Sequence, residues 1–189
     1  MGFFKTSKKE IVDLLKAWIA ISLIFAIALN KIEFSFEFLR LVIIAMSTAG
    51  IGFLLHELAH KVVAQRYGCF AEFRSFDKML LFALLISFTG FIFAAPGGVF
   101  IQGFVGKVRN GKISAAGIVM NIILAIIFFL VGIFTQFKVV SYYGLLINAW
   151  LALFNLIPIG NFDGVKIIRW DKKVYYTLIG VSLVLVVFG

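Results

Sequence analysis

Residues 79–103, MLLFALLISFTGFIFAAPGGVFIQG, decide how the rest of the chain is threaded. The stretch is apolar enough to enter a bilayer, but Gly90, Pro96, Gly97, Gly98 and Gly103 break it. On either side lie cleaner apolar runs, at about 17–29, 41–65, 113–134, 142–159 and the short 174–188. Each reads as a membrane crossing, the last near the lower limit of length. If 79–103 also crosses, the chain has six spans, and its lysines and arginines divide about nine against nine between the two faces. If it enters and leaves on one side, the division becomes about fifteen against three. Spans are oriented by a lysine and arginine excess on the cytoplasmic side, so the second threading is expected. It gives about five full transmembrane helices, a re-entrant helix or β-turn element, and a cytoplasmic amino terminus. Irregular backbone at membrane depth survives only where protein or a water-filled cavity surrounds it. The Pro96-Gly97-Gly98 break therefore implies an enclosed interior.

Composition agrees. Of 189 residues, 62% are hydrophobic and 14% charged, and mean hydropathy is +1.08. A soluble domain is nearer half apolar and a quarter charged, so ordinary soluble enzymes, disordered chains and fibrous repeats are excluded. The net charge of +9 suggests nucleic acid at first sight. In a membrane chain it is explained by cations held on one face, and no nucleic-acid partner is expected. The apolar run at 17–29 has no small-residue cleavage site after it and reads as a span, not a leader. Cys69 is the single cysteine, so no internal disulfide forms. No internal repeat, linker or regulatory module such as a PDZ domain is read. The expectation is one all-α polytopic membrane domain over 1–189.

Ionisable groups inside a span are costly and each needs a reason. The second run contains His56-Glu57-Leu58-Ala59-His60. Residues four apart share a helical face, so both imidazoles can reach one metal ion, with Glu57 beside them to hold a water. This is the H-E-x-x-H arrangement of zinc hydrolases. These are the chain's two histidines. Chance placement at this spacing, with Glu following the first, is on the order of 1 in 3,000. A pair of core histidines bonded to carbonyls is the ordinary alternative.

A catalytic zinc site needs a third protein ligand, with the fourth position left for water. Most acidic residues, Glu10 and Asp13 included, sit among flanking charges where a solvated face is expected. Asp163 differs. It follows Pro158 and Gly160 at the end of a span, where the chain can turn side chains inward. Depth agrees as well. Leu41 to His56 is about 22 Å of helical rise in a core of roughly 30 Å, so the motif lies toward the cytoplasmic side. In the five-span threading Asp163 arrives near that same face.

His56-Glu57-Leu58-Ala59-His60, then Asn155-Leu156-Ile157-Pro158 leading to Asp163-Gly164, resembles the site-2 protease family of intramembrane zinc metalloproteases. The resemblance runs from about residue 41 to 164. Pro96-Gly97-Gly98-Val99 is similar to that family's Gly-Gly membrane loop. Ala116-Gly117 with Asn121 is similar to its Ala-Gly-Pro and following Asn, with Ile118 in place of the proline. By the resemblance, His56, His60 and Asp163 are zinc ligands, one Zn2+ per chain, and Glu57 is the catalytic acid/base. Asn121 and Asn155, amides inside apolar spans, are candidates for holding substrate backbone or the oxyanion, with interhelical hydrogen bonding as the ordinary alternative. The turn from Pro96 to Gly103, with Gly97, Gly98 and Val99, could offer an edge strand that binds substrate by strand addition; a plain packing turn is the alternative. The implied substrate is a segment of a transmembrane protein, cut within the lipid bilayer of a prokaryotic cell membrane. The alternatives are a metal transporter and a non-catalytic membrane scaffold. A transporter needs polar residues spaced along several helices, and the remaining spans offer almost none.

Three smaller features complete the reading. Glu33-Phe34-Ser35-Phe36-Glu37-Phe38 alternates polar and aromatic residues, as an interfacial strand or amphipathic surface piece would. Gly50 and Gly52 are expected to let another helix approach the second span closely. The 23 phenylalanines read as core and lipid-facing filling.

Overall fold

The computed structural model describes residues 5–30, 35–92 and 97–188. Its elements, in chain order, are α1 (Lys8–Asn30), α2 (Phe36–Ala45), a π-helical turn (Met46–Gly50), α3 (Ile51–Arg66), β1 (Phe70–Ser75), α4 (Asp77–Ser87), β2 (Gly97–Gln102), α5 (Lys107–Phe134), α6 (Lys138–Asn155), α7 (Asp163–Trp170) and α8 (Lys172–Phe188). The fold is helical with one small antiparallel ribbon. Among the described residues, three helical stretches are long and apolar enough to cross a membrane: Lys8–Asn30, Phe36–Arg66 and Lys107–Phe134. The chain is a polytopic helical membrane protein.

The stretch Phe36–Arg66 is one helix with a wide turn in it. A π turn holds one residue more than an α turn and strains the ladder of backbone bonds around it. Side chains meet the displaced carbonyls. Thr48 Oγ1 donates to Ile44 O at 2.7 Å, and Trp18 Nε1 of α1 donates to Met46 O at 3.0 Å. Gly50 lies against the Trp18 ring and Gly52 against the Asn148 amide, where any Cβ would collide. The two glycines therefore do admit neighbouring helices. Ser35 caps α2, its hydroxyl accepting from Phe38 N. The alternating stretch from Ser35 onward is thus the start of a helix and not a strand. A serine placed to cap orphan N–H groups outweighs a short period-two pattern. Glu33 and Phe34 lie outside the described residues.

After α3, Gly68 adopts φ +77° and turns the chain into β1. The ribbon pairs Phe70 with Gln102 through to Ser75 with Gly97. One face, with Ala71, Phe73, Val99 and Ile101, packs toward α3 and α5. The opposite face, carrying Phe70 and Phe100, is exposed. The segment at 79–103 is therefore a short helix α4, then strand β2. Its Pro96 lies outside the described residues.

Glu10 and Asp13 depart from expectation. Both are buried, Glu10 completely. Helix α1 begins nine residues before its apolar run and lays its first turns on the ribbon. Glu10 Oε1 there accepts from Phe73 N at 3.0 Å, and Glu10 Oε2 pairs with Lys61 at 2.6 Å. Asp13 accepts from Ser75 Oγ at 3.2 Å. A covering ribbon, invisible in a hydropathy profile, converts flanking charges into interior ones.

Helices α5, α6, α7 and α8 pack around Ile118, Ile122, Ala152, Leu156, Ile167 and Tyr175. The turn between α6 and α7 is held by Tyr175, whose hydroxyl donates to Leu156 O at 3.0 Å. Gly164 touches the Leu156 backbone so closely that no Cβ fits. That contact places Asp163, the residue before it.

Candidate metal centre

Helix α3 presents His56, Glu57 and His60 inward, all buried, with one ligand atom of each lying within 4.8 Å of the others. The first residue of α7 brings a carboxylate to them. Asp163 Oδ2 lies 3.3 Å from His56 Nε2 and 3.0 Å from His60 Nε2, and the two Nε2 atoms are 2.9 Å apart. Gly117 of α5 sits beneath both rings.

The other ring nitrogens settle the chemistry of this triangle. His56 Nδ1 lies 2.6 Å from Asn121 Oδ1, and His60 Nδ1 lies 2.8 Å from Ile113 O. Both partners are acceptors, so each imidazole donates from Nδ1. In a neutral imidazole that leaves Nε2 with a bare lone pair. Two such lone pairs and a carboxylate oxygen then converge on one point. Converging acceptors repel one another unless a cation lies between them. Tetrahedral zinc with bonds of about 2.1 Å holds its ligands about 3.4 Å apart. The observed spacings reach that with outward shifts of a few tenths of an ångström. Two imidazoles and a carboxylate are also a donor set zinc accepts, and carbonyl-anchored Nδ1–H groups are the usual support for metal-binding histidines. The residues present fit the ion.

Asn121 is fully buried, and its amide is committed. Besides receiving the His56 Nδ1–H, it donates from Nδ2 to Gly52 O at 3.2 Å and to Asn148 Oδ1 at 3.1 Å. Asn121 is among the residues lining the cavity before the triad, and these bonds hold its amide against the imidazole. An amide in a span finds partners in neighbouring helices when they are within reach. Asn155 behaves otherwise. It donates to Leu151 O one turn back at 2.9 Å and lines the cavity in front of the triad.

That cavity measures about 480 Å³. Gly97, Gly98, Val99 and Ile101 of β2 form part of its wall, with Phe25, Phe53 and Phe154 supplying apolar surface. The backbone N–H of Val99 lies near the Glu57 carboxylate. The ribbon's pairing explains why. Phe73 N–H and Ala71 C=O of β1 both turn outward, to Glu10 and to Gln65 Nε2 at 3.1 Å. In an antiparallel pair, residues opposite such positions also turn their backbone groups away from the partner. Val99 and Ile101 are those residues. The outer edge of β1 is thus occupied by side chains, while the outer edge of β2 faces the cavity. Lys166 also lines the cavity, its Nζ 3.4 Å from Asp163 Oδ1.

The sequence reading did not single out Asn148 or Lys166. Asn148 lies seven residues before Asn155, two helical turns on the same face, which is the signal that could have found it. Lys166 carries no signal in the sequence that sets it apart from the other basic residues.

Over 190 aligned residues the chain is 34% identical to a protein of Methanocaldococcus jannaschii named "Putative zinc metalloprotease", covering 97% of this chain and 95% of that one. A second protein of that organism, named a zinc metalloprotease, is 31% identical over 123 residues, which span 63% of this chain and 31% of the other. No protein-family model matches the chain, and no solved structure does.

Proposed function

The chain belongs to the family of these archaeal zinc metalloproteases, and from that premise we propose that it is a zinc-dependent intramembrane endopeptidase of the site-2 protease type. Its substrate is a transmembrane segment of another membrane protein. The observation that carries the reading is the convergence of two imidazole nitrogens from a helix of spanning length with a carboxylate oxygen from the first residue of α7.

His56, His60 and Asp163 would hold one zinc ion per chain. Bound there, zinc would acidify a water toward a pKa of about 7 and polarise the scissile carbonyl. Glu57, on the same helix and buried, takes the proton of the attacking water and passes it to the leaving amine. Asn155 faces the cavity where the substrate carbonyl develops charge, and its amide suits that position.

A peptide bond inside a helix is shielded by the helix's own hydrogen bonds, so a transmembrane substrate must unwind to be cut. The freed backbone then needs partners. The open edge of β2 at Gly97–Gln102 supplies them by strand addition, alongside the triad. In the bilayer we place five full spans and a re-entrant element made of α4 and β2, with residues 1–189 as one metalloprotease domain. The amino terminus is cytoplasmic in a prokaryotic cell membrane. The fifteen-to-three division of basic residues supports this threading.

The deciding experiment is Glu57→Gln in purified protein with a helical substrate. Zinc retained with cleavage abolished is the expected result, and cleavage at the wild-type rate sinks the mechanism. His56→Ala should lose the metal as well as the activity.

A further inference from the structure

Behind His56 stands a file of groups that the proposed reaction does not use. Asn121 and Asn148 are both completely buried, one on α5 and one on α6. Asn148 Nδ2 donates to Gly144 O at 2.8 Å, Asn148 Oδ1 accepts from Asn121 Nδ2 at 3.1 Å, and Asn121 Oδ1 accepts from His56 Nδ1 at 2.6 Å. We propose that Asn148 is a positioning residue for His56: it fixes which way the Asn121 amide faces, and thereby which nitrogen of His56 carries the proton. This rests on the reading of His56 as a metal ligand.

An amide's oxygen and nitrogen are nearly the same size, so shape does not choose between its two orientations; hydrogen-bond partners do. With Oδ1 toward the imidazole, His56 donates from Nδ1, and Nε2 keeps the lone pair that a metal needs. With the amide reversed, an NH2 group faces Nδ1, which must then accept. The ring proton moves to Nε2 and points at His60 and Asp163, where it blocks coordination. The orientation of Asn121 is therefore equivalent to the ligand competence of His56.

Backbone carbonyls determine that orientation because they cannot reverse. Gly144 O is an obligate acceptor and holds the Asn148 NH2, which turns Asn148 Oδ1 toward Asn121. Gly52 O, one turn before His56, takes the second Asn121 hydrogen at 3.2 Å. The glycine at 52 permits the arrangement, since a Cβ there would collide with the Asn148 amide. His60 needs no such relay, because a backbone carbonyl, Ile113 O, receives its Nδ1–H directly. One ligand is held by the main chain, the other by a pair of amides.

The test uses the metal-free full chain in lipid nanodiscs with ¹⁵N-labelled histidine at alkaline pH. Two rings give two sets of ring-nitrogen shifts. In wild type both should report protonated Nδ1. Asn148→Ala should move His56 toward the Nε2-protonated form while His60 stays put, and should weaken zinc binding about tenfold or more by chelator competition. In an Asn121→Asp background the same change should have little effect on either readout, because a carboxylate accepts from His56 whichever way it faces. A purely structural Asn148 would cost the same in both backgrounds, and that result overturns the proposal, as does an unshifted His56 in Asn148→Ala. The His60 signal reports folding in the same spectrum. If Asn148→Ala loses it, Asn148→Asp decides instead. That variant keeps the acceptor and the volume, so a wild-type His56 tautomer is expected and a shifted one overturns the relay. Because the tautomer is read without metal, failure of the zinc reading and failure of the relay are told apart.

Discussion

Gly117 of α5 lies against the two imidazoles so closely that a Cβ on it would sit 2.5 Å from His60 Nε2 and 2.7 Å from His56 Cε1. Neither ring can retreat freely, since each is tied through Nδ1 to a fixed acceptor. Gly117→Ala is expected to fold, at an overpacking cost of about 1–3 kcal/mol. Zinc affinity should fall by an order of magnitude or more as the nitrogens are pushed out of register. Metal content per chain after dialysis against a weak chelator measures this. A stoichiometric zinc content in the variant would mean that the rings lie elsewhere.

The pairing pattern of the ribbon sharpens a test of substrate binding. Ile101 stands opposite Ala71 and turns its N–H away from β1, whereas Phe100 stands opposite Glu72 and pairs with it. A proline removes a donor without replacing it. Ile101→Pro should keep the ribbon and the metal while removing one edge donor, raising KM more than it lowers kcat. Phe100→Pro should break the ribbon itself and lower both. Equal kinetics for Ile101→Pro and wild type, with zinc bound, would remove the edge of β2 from the substrate site.

Glu10 and Lys61 form an ion pair with both side chains fully buried. Breaking such a pair from one side leaves a charge in the interior and typically costs about 3–5 kcal/mol. Glu10→Ala should therefore lower the unfolding midpoint markedly, and it also withdraws the acceptor of Phe73 N on β1. The double change Glu10→Gln with Lys61→Met removes both charges and should recover most of the loss. Thermal unfolding in detergent checks the pair. A double variant no better than Glu10→Ala would show that packing, and not charge, holds α1 to the ribbon.

How far the sequence could be read follows from which signals are local. The H-E-x-x-H spacing and the long apolar runs are local, and helices form where those runs predict. Asp163 stood out because Pro158 and Gly160 sit before it, and those are local cues too. Glu10 and Asp13 misled because their burial depends on a ribbon whose strands start some sixty and ninety residues further along the chain. Asn121 is legible as an amide in a span, but its partners, Asn148 among them, lie on other helices. The π turn at Met46–Gly50 has no visible signature either, and the indole that donates to it comes from α1. Periodicity carries the elements; the partners that orient their side chains come from the tertiary fold.

That indole gives a last prediction. The π turn ends at Gly50, one residue before α3, so the rotation it introduces is carried along the helix to His56 and His60. An added residue turns everything downstream by about 100° relative to everything upstream. Trp18 Nε1 braces the turn with a second hydrogen bond to Met46 O, beside that from Ile51 N, and the ring fills the space left by Gly50. Trp18→Phe keeps an aromatic ring and loses the donor, so the half-buried Met46 carbonyl, which keeps the Ile51 N–H, gives up one hydrogen bond worth about 0.5–1.5 kcal/mol. The expected result is a lower unfolding midpoint with zinc affinity little changed, because the downstream helix is still held by Asn121 and Ile113 through its two imidazoles. Gly50→Ala attacks the same contact from the other side and should lower both, since it forces α1 away from the turn. If Trp18→Phe is as stable as wild type, the π turn is maintained by the Thr48 and Ser47 hydroxyls on the helix itself, and the indole is only a filler.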